Sequence, residues 1–357
     1  MAERLISADS HVKVSHDQVK QNLATRYHES YDAAVAGFEK RMSAGAGSAN
    51  RAGAAIKAAE RNSAFTRPGY WDPVARLEDM DADGVDVEVL YSEVSAFRYL
   101  ADVKEGADES VRAFNDVMHW FSEPDQKRLL VSYQVPIHDI DLAVSEVERV
   151  VGLGAKSLQL PVFPNEFGLA EYFDARYEPL FDTIQDSGLP ICCHIGLNTN
   201  LDGLARRDPT PNGGVMVPLT PLMTAEAFGM WIMGGVFEKF PDLKVVFVEP
   251  GLTWVAWWLN TVDDMVVRQG YEYPAIKGLP SEYFHRNVYL TFIDEELGLH
   301  RVRDILGVEN LLWSSDFPHP VTSWPNSRKI VESQFAGIPE DERQMILSGN
   351  AARIWNL

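Results

Sequence analysis

Eight short apolar runs, each about as long as a strand, constrain this chain more than anything else in its 357 residues. They are Leu5–Asp9, Val85–Ser92, Leu129–Pro136, Lys156–Pro161, Pro190–Gly196, Lys244–Glu249, Asn287–Phe292 and Asn310–Asp316. A strand with one wet face alternates polar and apolar residues, whereas these runs are nearly continuous. That is the pattern of a parallel sheet covered on both sides. Between most of them lie segments with helical spacing, such as Asp141–Gly154 and Glu171–Gly188, each closed by glycine. Eight strands alternating with helices predict an α/β fold, a distorted (β/α)₈ TIM barrel in a single domain over 1–357. The rival is a doubly wound open sheet, which should carry a glycine-rich first turn for a nucleotide. The turn after Asp9 has no such glycines.

Two segments exceed the minimal barrel. Residues 13–75, rich in alanine, glycine and serine, predict a helical, partly mobile insertion after strand 1. Residues 197–219, rich in Gly, Pro, Asn and Arg, predict a long active-site loop after strand 5. The 32 basic and 52 acidic residues leave a net charge of −20, which argues against a nucleic-acid partner. The two cysteines, Cys192 and Cys193, are adjacent and cannot staple distant elements, so a cytoplasmic, reducing setting is expected. The opening residues lack a secretory pattern. Thr220–Phe237 is the most membrane-like stretch, but it contains Glu226 and a Gly-Gly break. A buried or interface helix is the expectation there, and no membrane partner.

In such a barrel chemistry gathers where strands end. Strand 1 ends at Asp9 and His11, strand 5 at His194, strand 6 at Glu249 and strand 8 at Asp316, with His319 just beyond. Each has an ordinary explanation alone: an aspartate caps a turn, a histidine bonds a loop. Six ionisable groups at one mouth are different, because buried charge is costly unless paired or metal-bound. Asp9 and His11 are two apart and so share a side of the strand. A His/His/Asp/Asp set suits a divalent transition metal, with a remaining carboxylate or histidine as general base.

These residues resemble the amidohydrolase superfamily, in the branch that includes aminocarboxymuconate semialdehyde decarboxylase. The likeness runs through "ISADSHV", "RPGYWDPVARLEDMDADGVDVEVLYS", "PICCHIG", "GGVFEKFPDLKVVFVEPGLTWV" and "LLWSSDFPHPVTSWPNS". It implies one divalent metal (Zn, Mn or Fe) on Asp9, His11, His194 and Asp316, and a homodimer or higher homo-oligomer. The chain departs from the pattern at strand 6, where members commonly carry a catalytic histidine and this chain has Glu249. With Asp316, Glu249 and His319 as catalytic groups, hydrolysis of a small, aromatic or carboxylated compound is the leading expectation. Non-oxidative decarboxylation of a hydroxylated aromatic or unsaturated acid is the alternative, and an inactive metal-binding barrel the third. Arg206 and Arg207 in the long loop are candidates to clamp a substrate carboxylate, or are simply solvated. Phe317 and Trp324 are candidates to line an apolar substrate site, or are core filler.

Overall fold

The computed structural model describes residues 3–44, 64–93, 95–196 and 218–357. Eight parallel strands stand in sequence order, each paired with the next: β1 (Ile6–Val12), β2 (Val87–Ser92), β3 (Leu129–Gln134), β4 (Ser157–Gln159), β5 (Ile191–His194), β6 (Val245–Val248), β7 (Val288–Phe292) and β8 (Leu311–Trp313). The ring closes between β8 and β1. His11 N donates to Phe317 O at 2.6 Å, Asp316 N donates to Asp9 O at 3.0 Å, and Ser10 bridges Phe317. This is the predicted (β/α)₈ barrel. Most strands are shorter than the apolar runs, and at β5, β6 and β8 the last residues of the run leave the ladder to form the mouth.

The interior is a packed core. Ile6, Ala8, Val87, Val89, Leu130, Cys192, Val246 and Leu312 point inward, and Trp355 packs into the same cluster from the C-terminal helix Asn350–Ile354. The outer layer forms for local reasons. In the helix Ile140–Gly152, Asp139 caps the start by accepting from Leu142 N, while Ala143, Val147 and Val150 bury one stripe. In the helix Pro73–Asp83, Asp72 accepts from Val74 N and Ala75 N, and Pro73 fills the first turn. Gly84 ends that helix at φ 77°, where a side chain would be strained.

The insertion after β1 contains helices His16–Asn22 and His28–Ala44 and a 3₁₀ turn at Pro68–Tyr70; residues 45–63 lie outside the described residues. The apolar stretch Thr220–Phe237 divides into helices Thr224–Met233 and Val236–Lys239 at Gly234–Gly235. Among the described residues no helix is long and apolar enough to cross a membrane. The stretch is instead held by Trp231, which is buried against Tyr172 at 4.7 Å and stacked on Phe237.

Candidate active site

The mouth chemistry begins with an irregularity in β1. Ser7 pairs with Glu88 and Ser10 with Leu90, so Ala8 and Asp9 together face Val89 alone. Such a bulge shifts side-chain parity by one. Ile6 and Ala8 point into the barrel, and beyond the bulge Asp9 and His11 point inward too. The outward Ser7 and Ser10 hydroxyls lie 3.2 Å apart and meet Ser315 Oγ at 3.1 Å each. Strand 1 thereby delivers both groups to one centre, as their spacing predicts.

The centre is compact. His11 Nε2 lies 3.1 Å from His194 Nε2, 3.5 Å from Asp9 Oδ1 and 3.4 Å from Asp316 Oδ1. His194 Nε2 lies 3.4 Å from Asp9 Oδ1. His194 Nδ1 donates to Ile195 O at 2.6 Å, which fixes the tautomer and turns Nε2 toward the centre. Three overlapping groups, Asp9/His11/His194, His11/Asp316/His319 and Asp9/Glu249/Asp316, each bring their donor atoms within 4.8 Å of one another. Asp9 is fully buried, yet among the described residues neither of its carboxylate oxygens has a hydrogen-bond partner. Contacts of 3.4–3.5 Å are too long to satisfy them. A buried anion left in that condition is costly. A divalent cation removes the cost, so these donors fit one.

Electrostatics divides the carboxyl groups. Burial opposes ionisation of Asp316, but the adjacent His319 and His11 outweigh it and hold its carboxyl at about 2. Burial, with the neighbouring Asp316 and Asp9 charges, pushes Glu249 well above the usual carboxylate range. His194 loses charge stability through burial but gains more from Asp9, which lifts it to about 9. His11 is lowered by burial and by the charge of His319. Glu249 and Asp316 both sit in left-handed backbone, at φ 59° and 50°. Non-glycine residues take this conformation at a cost that surrounding structure must hold, commonly at functional sites.

The structure brings Asp9, His11, His194, Glu249, Asp316 and His319 together. His319 Nδ1 stands 2.8 Å from Asp316 Oδ1, and its ring lies 4.0 Å from that of His11. On its far side Nε2 faces Glu93 Oε1 at 3.6 Å, and Tyr70 Oη donates to the same oxygen at 2.6 Å. Glu93 was not among the expected catalytic groups. Its only sequence signal is its place just past strand 2. Phe317 is buried, with its ring 4.2 Å from the Arg76 guanidinium and 5.6 Å from Trp324. With Ala64 and Tyr70, Phe317 and Trp324 form a separate small apolar cluster beside the β8–β1 seam. Arg206, Arg207 and most of the expected 197–219 loop lie outside the described residues.

Residues 65–357 match the sequence profile of the amidohydrolase family. The chain belongs to that family. Among its relatives, gamma-resorcylate decarboxylase of a Rhizobium species is 24% identical over 336 residues, spanning 85% of this chain and 96% of the relative. Among solved structures, 5-carboxyvanillate decarboxylase from Sphingomonas paucimobilis superposes with a TM-score of 0.74 at 24% identity, covering 100% of both chains. Dihydroxybenzoic acid decarboxylase from a Polaromonas species, with bound manganese and the inhibitor 2-nitroresorcinol, gives 0.73 at 19% identity, covering 99% of this chain and 97% of that one. At these identities the superpositions speak for the fold. All three of these relatives are named as decarboxylases.

Proposed function

We propose that this amidohydrolase is a metal-dependent, non-oxidative decarboxylase of a small hydroxylated aromatic or unsaturated carboxylic acid. The observation that carries the proposal is the buried Asp9 carboxylate, without hydrogen-bond partners among the described residues, facing two imidazole Nε2 atoms at the barrel mouth. In this reading Asp9, His11, His194 and Asp316 hold one divalent ion. When bound, that ion supplies positive charge against which a substrate carboxylate and a neighbouring oxygen can be held.

Decarboxylation breaks the bond between the carboxyl carbon and the ring carbon and releases carbon dioxide. The bonding electrons stay on the ring carbon, which takes up one proton. Two carboxyl groups at the mouth suit a division of labour. Asp316, beside His319 and His11, stays anionic. Glu249, desolvated and facing Asp316 and Asp9, keeps its proton and delivers it to the carbon. His319, between Asp316 and Glu93, orients the Asp316 carboxylate.

Hydrolysis is the second reading. It is favoured by Glu249, a carboxylate suited to taking a proton from water, in place of the histidine expected at strand 6. One experiment separates the two. Protein loaded with manganese or zinc is offered hydroxybenzoates in D₂O, and aryl amides and lactones in parallel. Decarboxylation gives carbon dioxide and a product with one deuterium at the carbon that lost it. Glu249→Gln then lowers kcat by about 10²–10⁴-fold, the usual worth of a general acid. Turnover of amides or lactones with no release of carbon dioxide refutes the first reading.

A further inference from the structure

We infer that Tyr91 is a positioning residue for the metal ligands, acting through the β1 bulge. The inference rests on Asp9, His11 and His194 being metal ligands and does not depend on which reaction follows.

Alternation along β1 starts with Ile6 and Ala8 facing inward. Continued without a bulge, it would send Ser10 into the barrel and turn Asp9 and His11 outward toward the helices. The extra residue at Ala8–Asp9 prevents this. A bulge breaks ladder hydrogen bonds, so its carbonyls need other donors. Here they have them. From inside the barrel, Tyr91 Oη donates to Ala8 O at 3.2 Å. From outside, Ser7 Oγ donates to Asp9 O at 2.7 Å, and Asp316 N donates to the same oxygen at 3.0 Å.

Tyr91 also supports the ligands directly. It pairs with His11 across the β1–β2 ladder. Its ring stands edge-on to His194 at 5.5 Å and tilted to His11 at 6.4 Å. The phenol is fully buried. One side chain thus holds the bulge carbonyl that aims Asp9 and packs against both imidazoles. Residues that orient ligands in this way set metal affinity, and their loss commonly costs about 10–100-fold.

The test uses the full chain stripped of metal and titrated with Co²⁺, reading both Kd and the visible absorption of the saturated protein. Tyr91→Phe keeps the ring and removes the hydroxyl, which donates to Ala8 O and also meets the Cys192 thiol. The expected result is a Kd weakened about 10–100-fold and altered cobalt bands at saturation, because Asp9 is no longer held in place. An unchanged Kd overturns the inference. So does a weaker Kd with the native spectrum, since general destabilisation alone gives that pattern. If Tyr91→Phe does not fold, Ser7→Ala, which removes one of the two donors to Asp9 O, is read by the same criteria. His194→Ala serves as the control. If it leaves Co²⁺ uptake unchanged, the metal reading itself fails; if it abolishes uptake while Tyr91→Phe behaves as native, only the role of Tyr91 fails.

Discussion

Glu88→Gln tests how strongly the fold depends on the ion pair beneath β1, the strand that carries Asp9 and His11. Glu88 and Arg76 are both buried, and Arg76 Nε donates to Glu88 Oε2 at 2.5 Å. Ser10 Oγ donates to the other carboxylate oxygen at 3.1 Å. Arg76 Nη1 reaches His11 O at 3.0 Å and Gly69 O at 3.2 Å, while Nη2 has no hydrogen-bond partner among the described residues. Replacing the carboxylate by an amide keeps the shape but leaves a guanidinium charge buried with two carbonyls and an aromatic face. Breaking a buried pair from one side costs about 3–5 kcal/mol, a large part of the ~5–15 kcal/mol that holds a typical domain together. That corresponds to roughly two to four orders of magnitude in the unfolding constant. Urea unfolding of the metal-free protein, followed by tryptophan fluorescence, should show the midpoint falling with an unchanged slope. The double variant Glu88→Leu with Arg76→Met should recover most of the loss, since well-packed apolar pairs replace buried ion pairs at little cost. It should still bind metal more weakly, because His11 O has lost its donor. A loss below about 1 kcal/mol for Glu88→Gln, the range of an exposed pair, would refute the claim that this pair is shielded from water.

Chelation should abolish turnover, and manganese or zinc should restore it; restored ion at about 1,000 times its Kd should also stabilise the fold by about 4 kcal/mol. Because His194 must shed a proton held up to about 9, metal affinity should rise with pH through the neutral range, and isothermal titration in two buffers should detect the released proton. In the metal-free protein the Asp316–His319 contact should give a stability plateau. Asp316, depressed to about 2 from its ordinary 3.8, contributes fully above 3.8 and loses that contribution as pH falls through 2. His319, raised above its ordinary 6.5, contributes fully below 6.5 and loses that contribution as pH rises through its elevated value. His319→Gln should flatten both edges in a pH series of denaturation midpoints, and unchanged edges would refute the pairing.

The barrel was legible because both faces of every strand are buried, which turns each strand into a continuous apolar run. The same continuity hid the parity of individual residues. Nothing in "ISADSHV" shows that Ala8 and Asp9 share a face, since a bulge depends on the register against Val89. The clustering of Asp9, His11, His194, Glu249 and Asp316 could be read because each stands at or near the C-terminal end of its apolar run. Glu93 escaped because its meaning lies in a spatial neighbour, His319, more than two hundred positions away. Glu88 lies inside a strand run and Arg76 on a helix, where a charge ordinarily reads as solvated; only packing revealed that they answer each other. Phe317 and Trp324 share a small cluster with Phe65 and Tyr70, which reach His319 and Glu93, and that neighbourhood depends on packing that position in the chain does not show.

The closure of the ring carries a consequence for how the molecule comes into being. Ser7 and Ser315, which grip each other across the seam, are 308 positions apart in the chain, and Asp9 and Asp316 stand beside them. No partial chain emerging from a ribosome can hold the full proposed ligand set, because its last member, Asp316, follows the eighth strand. Ring closure must spend the entropy of joining distant segments before any of these contacts repay it. In the proposed ligand set a cation captured at that moment would bind both ends of the barrel at once, a clasp that only a completed fold can offer.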